Sequence, residues 1–348
     1  MAKKTRDEEK LNYSAEVRLL KQHGPGRLYF LWGPEDYLRE QYLNLLKSLC
    51  LPEMDDSFSY RRLNGPELDV REFQQAVDAM PFLCDHSFVE IRDADLNKIS
   101  EPEECLKILG DIPDYCTVAF VQSAQFEPDG RLKFIKSLRG IATELKFTQQ
   151  SQGMLTDWIV RRFAAAGKSV ELEAAQRLIF ISGDLMSRLI PEIEKIAAYT
   201  KDDRVTTADV EAVAIHIPDA VIFEMTELMA QKKFNAAMSV LAELLSDKDN
   251  EPIAMLAVLA GQMRRLYGAR LALEKKLGAK YVMEVCGVKY DYIANKLLAA
   301  ARGFRLPQLR QAVRLCAETD YKMKSGGGDA KELLKEAVLR IAAGGADA

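Results

Sequence analysis

The chain has 348 residues, 48% hydrophobic and 29% charged, with a formal net charge of −4. That length leaves room for two or three domains with well-buried cores, and that composition describes an ordinary soluble protein. No apolar run reaches the roughly 18 residues needed to span a bilayer. The six cysteines (Cys50, Cys84, Cys105, Cys116, Cys286 and Cys316) are scattered without a C-x-x-C pair, which argues against a zinc ribbon or a disulfide framework and suits a reducing cytoplasm.

The opening MAKKTRDEEK is charged and has no apolar stretch behind it, so it is no secretory signal, and residues 1–23 read as a solvated leader. From 24 to 149, short β-like runs alternate with amphipathic helical stretches. The runs are Leu28–Trp32, Ser57–Leu63, Phe88–Arg92, Thr117–Gln122 and Glu144–Thr148. Between them lie Tyr37–Leu49, Val70–Met80, Glu103–Leu109 and Lys133–Leu138. This alternation predicts a parallel α/β sheet covered on both faces.

The first strand runs into Gly33-Pro34, and Asp36 is placed to cap the helix that follows. Strand, glycine turn and helix N-terminus form the frame of a phosphate cradle. The pattern G-x-x-x-x-G-K-[ST], laid on Gly33, puts Leu38 at the second glycine, Arg39 at the lysine and Glu40 at the magnesium-binding hydroxyl. Leu38 adds bulk where backbone must approach phosphate, and Glu35, Asp36 and Glu40 repel it, although Arg39 restores one positive charge. The frame is that of a nucleotide site and the chemistry is not.

From 150 to 215 the pattern is helical. Met154–Ala166 stops at Gly167, Leu172–Ile181 at Ser182-Gly183, Leu185–Thr200 carries Leu189, Ile193 and Ile196 on one face, and Thr206 with Asp209 forms a capping-box-like start for Val210–Ala214. From 216 to 348 no strand-like alternation occurs. Pro252 opens a long helix through Leu277, and Asp291–Ala301, Leu306–Lys324 and Lys331–Ala343 follow. From Gly261 onward there are 17 Lys and Arg against 9 Asp and Glu, a net of +8 that leaves −12 over the rest. A basic end on an acidic body suits an anionic partner, and equally a solvated helical surface.

Catalytic and metal motifs are sparse. His23, His86 and His216 have no cysteine or second histidine at ligand spacing, and no G-x-S-x-G elbow occurs. Glu90 and Asp93 are candidate metal-binding carboxylates, though separated by Arg92. One connection stands out. Met80, Pro81, Phe82 and Leu83 place four apolar residues in a row between a predicted helix and a predicted strand, where polar residues are usual. Phe82 and Leu83 either tuck back into the core or form an exposed plug for a partner's pocket.

The stretches LYFLWGPEDYLREQ, FQQAVDAMPFLCDHSFVEIRDAD, SGDLMSRLIPEIEKIAAYT, VIFEMTELMAQKKFNAAMSVLAELL, MLAVLAGQMRRLY and ETDYKMKSGGGDAKELLKEAVLRIA follow one another in the order seen in a known family. The chain resembles the delta subunit of bacterial DNA polymerase III, the clamp-loader wrench, over about residues 27–343. The resemblance implies an AAA+-like α/β domain without an ATP site (24–149), a small helical lid domain (150–215) and a C-terminal helical collar (216–348). It implies binding of the sliding clamp, the beta subunit, through Met80, Pro81, Phe82 and Leu83, and opening of its ring for loading on primer-template DNA. The expected partners are the clamp, the loader ATPase and delta-prime subunits, and primer-template DNA within the complex, in the cytoplasm and without a membrane. No cofactor, metal or catalytic residue is expected, so the chain is an accessory subunit rather than an enzyme by itself. Delta-prime typically carries a zinc-binding cysteine cluster and a Ser-Arg-Cys motif, and this chain has neither. Asp85-His86-Ser87 departs from the basic residue that many members carry soon after the tip. Pro191 is unusual within the helix that contains it. The other class left open is a stand-alone DNA-binding or scaffolding protein with a degenerate AAA+ fold. Stoichiometric co-purification with clamp and ATPase subunits separates the two.

Overall fold

The structure is a computed structural model, and it describes residues 12–51, 59–81, 84–247, 250–288 and 290–344. It divides into two compact units. One runs as far as Gln149 and includes Leu185–Ser187, and the other comprises Gln150–Asp184 and the chain from Arg188 on.

The first unit follows the order α1 (Tyr13–His23), β1 (Leu28–Trp32), α2 (Asp36–Cys50), β2 (Tyr60–Asn64), α3 (Val70–Asp78), β3 (Ser87–Arg92), α4 (Pro102–Gly110), β4 (Cys116–Val121), α5 (Lys133–Ile141) and β5 (Thr143–Lys146). The strands form one parallel sheet in the order β2-β3-β4-β1-β5. Register is set by pairs such as Phe30 with Phe120, Leu31 with Leu145 and Glu90 with Ala119. The central strands β1 and β4 are buried at every position. That burial explains their continuous apolar runs, since helices cover both faces of a parallel sheet. On one face Phe30, Trp32, Val89, Ile91 and Phe120 pack with Phe73 and Val77 of α3 and Ile135 and Leu138 of α5. On the other, Tyr29 meets Tyr42 of α2 with ring centroids 6.3 Å apart, and Tyr42 meets Phe147 at 6.0 Å.

Two details differ from the sequence reading. Part of the stretch read as a solvated leader is the helix α1, which Asn12 caps through its side chain and which buries Leu20. Glu35, not Asp36, occupies the cap position of α2, because the turn uses three residues, Gly33, Pro34 and Glu35, before the helix starts. The carboxylate of Asp36 accepts the Tyr37 N–H instead.

The second unit begins with α6 (Gln152–Ala165), β6 (Ser169–Val170), α7 (Leu172–Ser182), α8 (Met186–Tyr199), β7 (Arg204–Val205) and α9 (Thr207–Val213). It continues through α10 (Pro218–Ala230), α11 (Phe234–Ser246), α12 (Pro252–Glu274), α13 (Ala279–Cys286), α14 (Asp291–Ala301), α15 (Leu306–Lys324) and α16 (Ala330–Ala342). The Thr206–Asp209 capping box is present. Pro191 lies inside α8, where its missing N–H removes one bond to the carbonyl four residues back. The 23-residue α12 is about 34 Å long and touches α10, α13, α14, α15 and α16, so it is the spine of the helical bundle. Helices from 150–215 and from 216–348 share this unit. Phe180 of α7 packs edge-on against Phe223 of α10 at 5.0 Å and Tyr292 of α14 at 6.0 Å, with Lys296 Nζ 5.1 Å from its ring. A five-stranded parallel-sheet unit followed by a helical bundle with one two-stranded ribbon is the architecture.

Candidate functional site

The turn after β1 is closed against phosphate by this chain's own atoms. Gly33 has φ of +118°, and a Cβ there would lie 2.4 Å from the Phe147 carbonyl oxygen and 2.9 Å from its nitrogen. The glycine is therefore demanded by the backbone leaving β5. Phe147 N–H donates to the Trp32 carbonyl at 2.7 Å, and Glu35 N–H donates to the Phe147 carbonyl at 3.1 Å. Leu38 is buried. Arg39 points inward, and its Nη1 donates to the Gly33 carbonyl at 2.7 Å, so it caps the turn rather than facing a ligand. Burial lowers the pKa of this guanidinium from its ordinary value, against the pull of Glu40 and Asp36. Isothermal titration of the protein with ATP and magnesium should give no binding in the micromolar range. A micromolar Kd would overturn the closed-turn assignment.

Behind the turn lies a charged network centred on Glu90 of β3, which is fully buried. One carboxylate oxygen accepts from Lys47 Nζ at 3.0 Å and from the Tyr60 hydroxyl at 2.7 Å. The other accepts from Arg92 Nε and lies 3.8 Å from Arg62 Nε. Burial alone raises the pKa of Glu90, but the donors from Arg92, Tyr60 and Lys47 outweigh it and the net shift is downward. Burial, then the bond to Glu90, raises the pKa of Tyr60, which keeps the phenol protonated as a donor. Glu90 is thus satisfied by cations and a phenol. Asp93, beyond the strand end, has φ of +56°. Among the described residues no group of three or more His, Cys, Asp or Glu could hold a metal ion.

The apolar connection lies at the opposite end of β3. α3 ends at Asp78, Ala79 turns extended, Met80 is 79% exposed and Pro81 is half-buried. Phe82 and Leu83 lie outside the described residues. Both ends of the connection are anchored. Before it, Phe73 and Val77 sit in the core, and the Tyr115 hydroxyl donates to the Asp78 carbonyl at 3.3 Å. After it, Cys84 Sγ lies 2.9 Å from Ser59 Oγ, and Ser87 N–H donates to the Tyr115 carbonyl at 2.7 Å. His86 Nε2 lies 2.9 Å from Thr117 Oγ1, whose hydroxyl donates to the Gly26 carbonyl at 2.9 Å. That arrangement makes Nε2 the protonated nitrogen, and burial lowers the pKa of this imidazole. Tyr115, Thr117 and Ser59 are the residues sequence reasoning missed. They lie 25 to 37 positions from the atoms they hold, with no local signal to reveal them.

In the second unit, Arg302, Arg305, Arg310 and Arg314 are all exposed, around the end of α14 and along the first half of α15. Among the described residues no helix is long and apolar enough to cross a membrane.

Fold and turn together define the class: a parallel α/β unit joined to a helical unit, with its strand–glycine–helix turn held by Arg39 and the Phe147 backbone. Residues 219–341 match the family model described as the DNA polymerase III delta subunit, C-terminal domain. The DNA polymerase III subunit delta of Bacillus subtilis (strain 168) is 24% identical over 326 residues, covering 90% of this chain and 92% of that protein. A probable DNA polymerase III subunit delta of Aquifex aeolicus (strain VF5) is 23% identical over 326 residues, covering 89% of each. The solved Bacillus subtilis DNA clamp loader delta protein (YqeN) has the same fold, with a TM-score of 0.52 at 20% identity over 94% of this chain and 99% of that one. The chain is thus similar to bacterial DNA polymerase III delta subunits along nearly its whole length.

Proposed function

We propose that this chain is a clamp-loader subunit that binds the polymerase sliding clamp and opens its ring for loading onto primer-template DNA during replication. The observation that carries this reading is the α3–β3 connection: Met80 is 79% exposed, on a segment anchored at both ends, in a domain whose nucleotide turn is closed. Its function is mechanical, with no catalysis of its own. Met80, Pro81, Phe82 and Leu83 enter an apolar pocket on the clamp. Tighter binding to the open or strained ring than to the closed one shifts the ring toward opening, by no more than that difference in affinity. Taking the ring from 1:99 to 99:1 open requires about 5.5 kcal/mol of such difference. ATP hydrolysis belongs to neighbouring ATPase subunits, and the helical second unit assembles with them and with delta-prime in the cytoplasm. The exposed arginines of α14 and α15 suit primer-template DNA or an acidic neighbour.

The direct test is retention of the purified chain on immobilised sliding clamp, with and without the other loader subunits. No retention under either condition would sink the reading.

A division of labour follows from the two units. Because the Phe180 ring is packed against α10 and α14, a cut near residue 215 would strip its cover. A cut after Gln149 keeps the whole sheet and both anchors of the connection. The fragment ending at Gln149 should bind clamp and fail to assemble with the other loader subunits. A folded fragment, checked by circular dichroism, that does not bind clamp would refute the assignment of clamp binding to this unit.

A further inference from the structure

In a nucleotide-binding frame, the Ser or Thr that closes the phosphate loop and an acidic residue on a neighbouring strand hold a magnesium ion between them. That ion and the phosphates tie the first turns of the helix to the sheet. In this chain both sides have changed type. Glu40 occupies the hydroxyl position on α2, and Arg92 ends β3 opposite it. Their contact is bidentate, with Arg92 Nη1 to Glu40 Oε1 at 2.8 Å and Nη2 to Oε2 at 2.6 Å. The third guanidinium nitrogen, Nε, donates to Glu90, so one arginine joins the helix carboxylate to the buried strand carboxylate. The residues do not fit a magnesium ion, because a guanidinium stands against the carboxylate that would otherwise help to ligate it.

We propose that the Glu40–Arg92 pair takes over the mechanical task of the metal–phosphate bridge, tying α2 to β3 and holding the frame in one state that no nucleotide changes. Three observations agree. The pair is bidentate, the strongest arrangement open to a guanidinium and a carboxylate. It is partly exposed, with side chains 20% and 36% accessible, so the desolvation cost of a fully buried pair is avoided. The Arg39 side chain bonds the Gly33 carbonyl where phosphates would lie, so helix, turn and strand are linked by this chain's own groups. This inference does not depend on the clamp-loader reading. It concerns only how the domain stays assembled without a ligand.

The test uses the full chain and amide hydrogen exchange, with Glu40→Gln, Arg92→Lys and the double variant. Each single variant should speed exchange by at least about tenfold at residues 39–44 and 92–95, through local opening. The amides of β4 and α12 should be unaffected, and the double variant should be no faster than the faster single one. ATP with magnesium should leave the wild-type pattern unchanged. Unchanged exchange at both segments would overturn the proposal. So would an equal rise at β4, additive effects in the double variant, or protection of residues 33–41 by ATP with magnesium. Arg92→Lys keeps a cation beside Glu90, so loss of the bidentate contact is read without stranding the buried carboxylate.

Discussion

Phe82→Ala combined with Leu83→Ala should abolish binding to the sliding clamp while the protein stays folded. If both side chains fill a partner's pocket, each truncation should cost at least about 2 kcal/mol of binding, as for central interface residues. If they belong to the core, the same changes should cost about 2–5 kcal/mol of folding stability each. The neighbouring geometry motivates the first outcome, since Met80 is 79% exposed on one side of the pair and Asp85 is exposed on the other. Thermal unfolding and clamp affinity, measured on wild type and double variant, separate the two. A large fall in melting temperature identifies core residues, and unchanged clamp affinity eliminates the plug.

Gly33→Ala should destabilise the N-terminal unit by about 2–6 kcal/mol, combining strain at a positive φ with forced overpacking. The new methyl would lie 2.4 Å from the Phe147 carbonyl oxygen, and φ of +118° is a conformation that alanine rarely adopts. In a domain of this size each kcal/mol lowers the melting temperature by about 2–4 °C. The contrast is with a glycine retained for phosphate, whose replacement would spare stability and weaken nucleotide binding. A variant with wild-type melting behaviour would show that Phe147 does not require the glycine.

Much of the α/β unit was legible because its central strands are buried on both faces. Leu28–Trp32 was read with its observed bounds, and Phe88–Arg92 and Thr117–Gln122 to within a residue, since continuous apolar runs leave little choice. The edge strand β2 was harder: Arg61, Arg62 and Asn64 are exposed, the strand runs Tyr60–Asn64, and Ser57 and Phe58 of the predicted run lie outside the described residues. The helix α1 carried little signal because only Leu20 is buried, while Leu19 is exposed and Tyr13, Ala15 and Val17 are only partly covered. β6 and β7 are two residues each, too short for any periodicity to appear. The apolar run Met80–Leu83 was visible as a local departure from loop composition. The pairing of Glu40 with Arg92 was not, because the two are 52 positions apart and meet only through sheet and helix register. The inward course of Arg39 was likewise invisible, since an arginine in the lysine position of a phosphate loop reads as a cation for the ligand until its partner is seen to be the Gly33 carbonyl.

The long spine helix also sets a timetable for synthesis on the ribosome. β5, the last strand of the sheet, ends at Lys146 and pairs with β1, so the α/β unit can close while more than half of the chain is still to be made. The bundle has no such early closure. α12 ends at Glu274, but two of the helices that bury it, α15 and α16, are complete only at Lys324 and Ala342. At about 5–20 residues per second, the 68 residues from Glu274 to Ala342 take roughly 3–14 s to appear. During that interval Leu256, Leu259, Met263 and Leu266 lack part of their cover. A nascent chain stalled between α12 and α15 therefore presents an apolar helix face to holdase chaperones, whereas one stalled just beyond Gln149 already has all five strands of its sheet and Phe147.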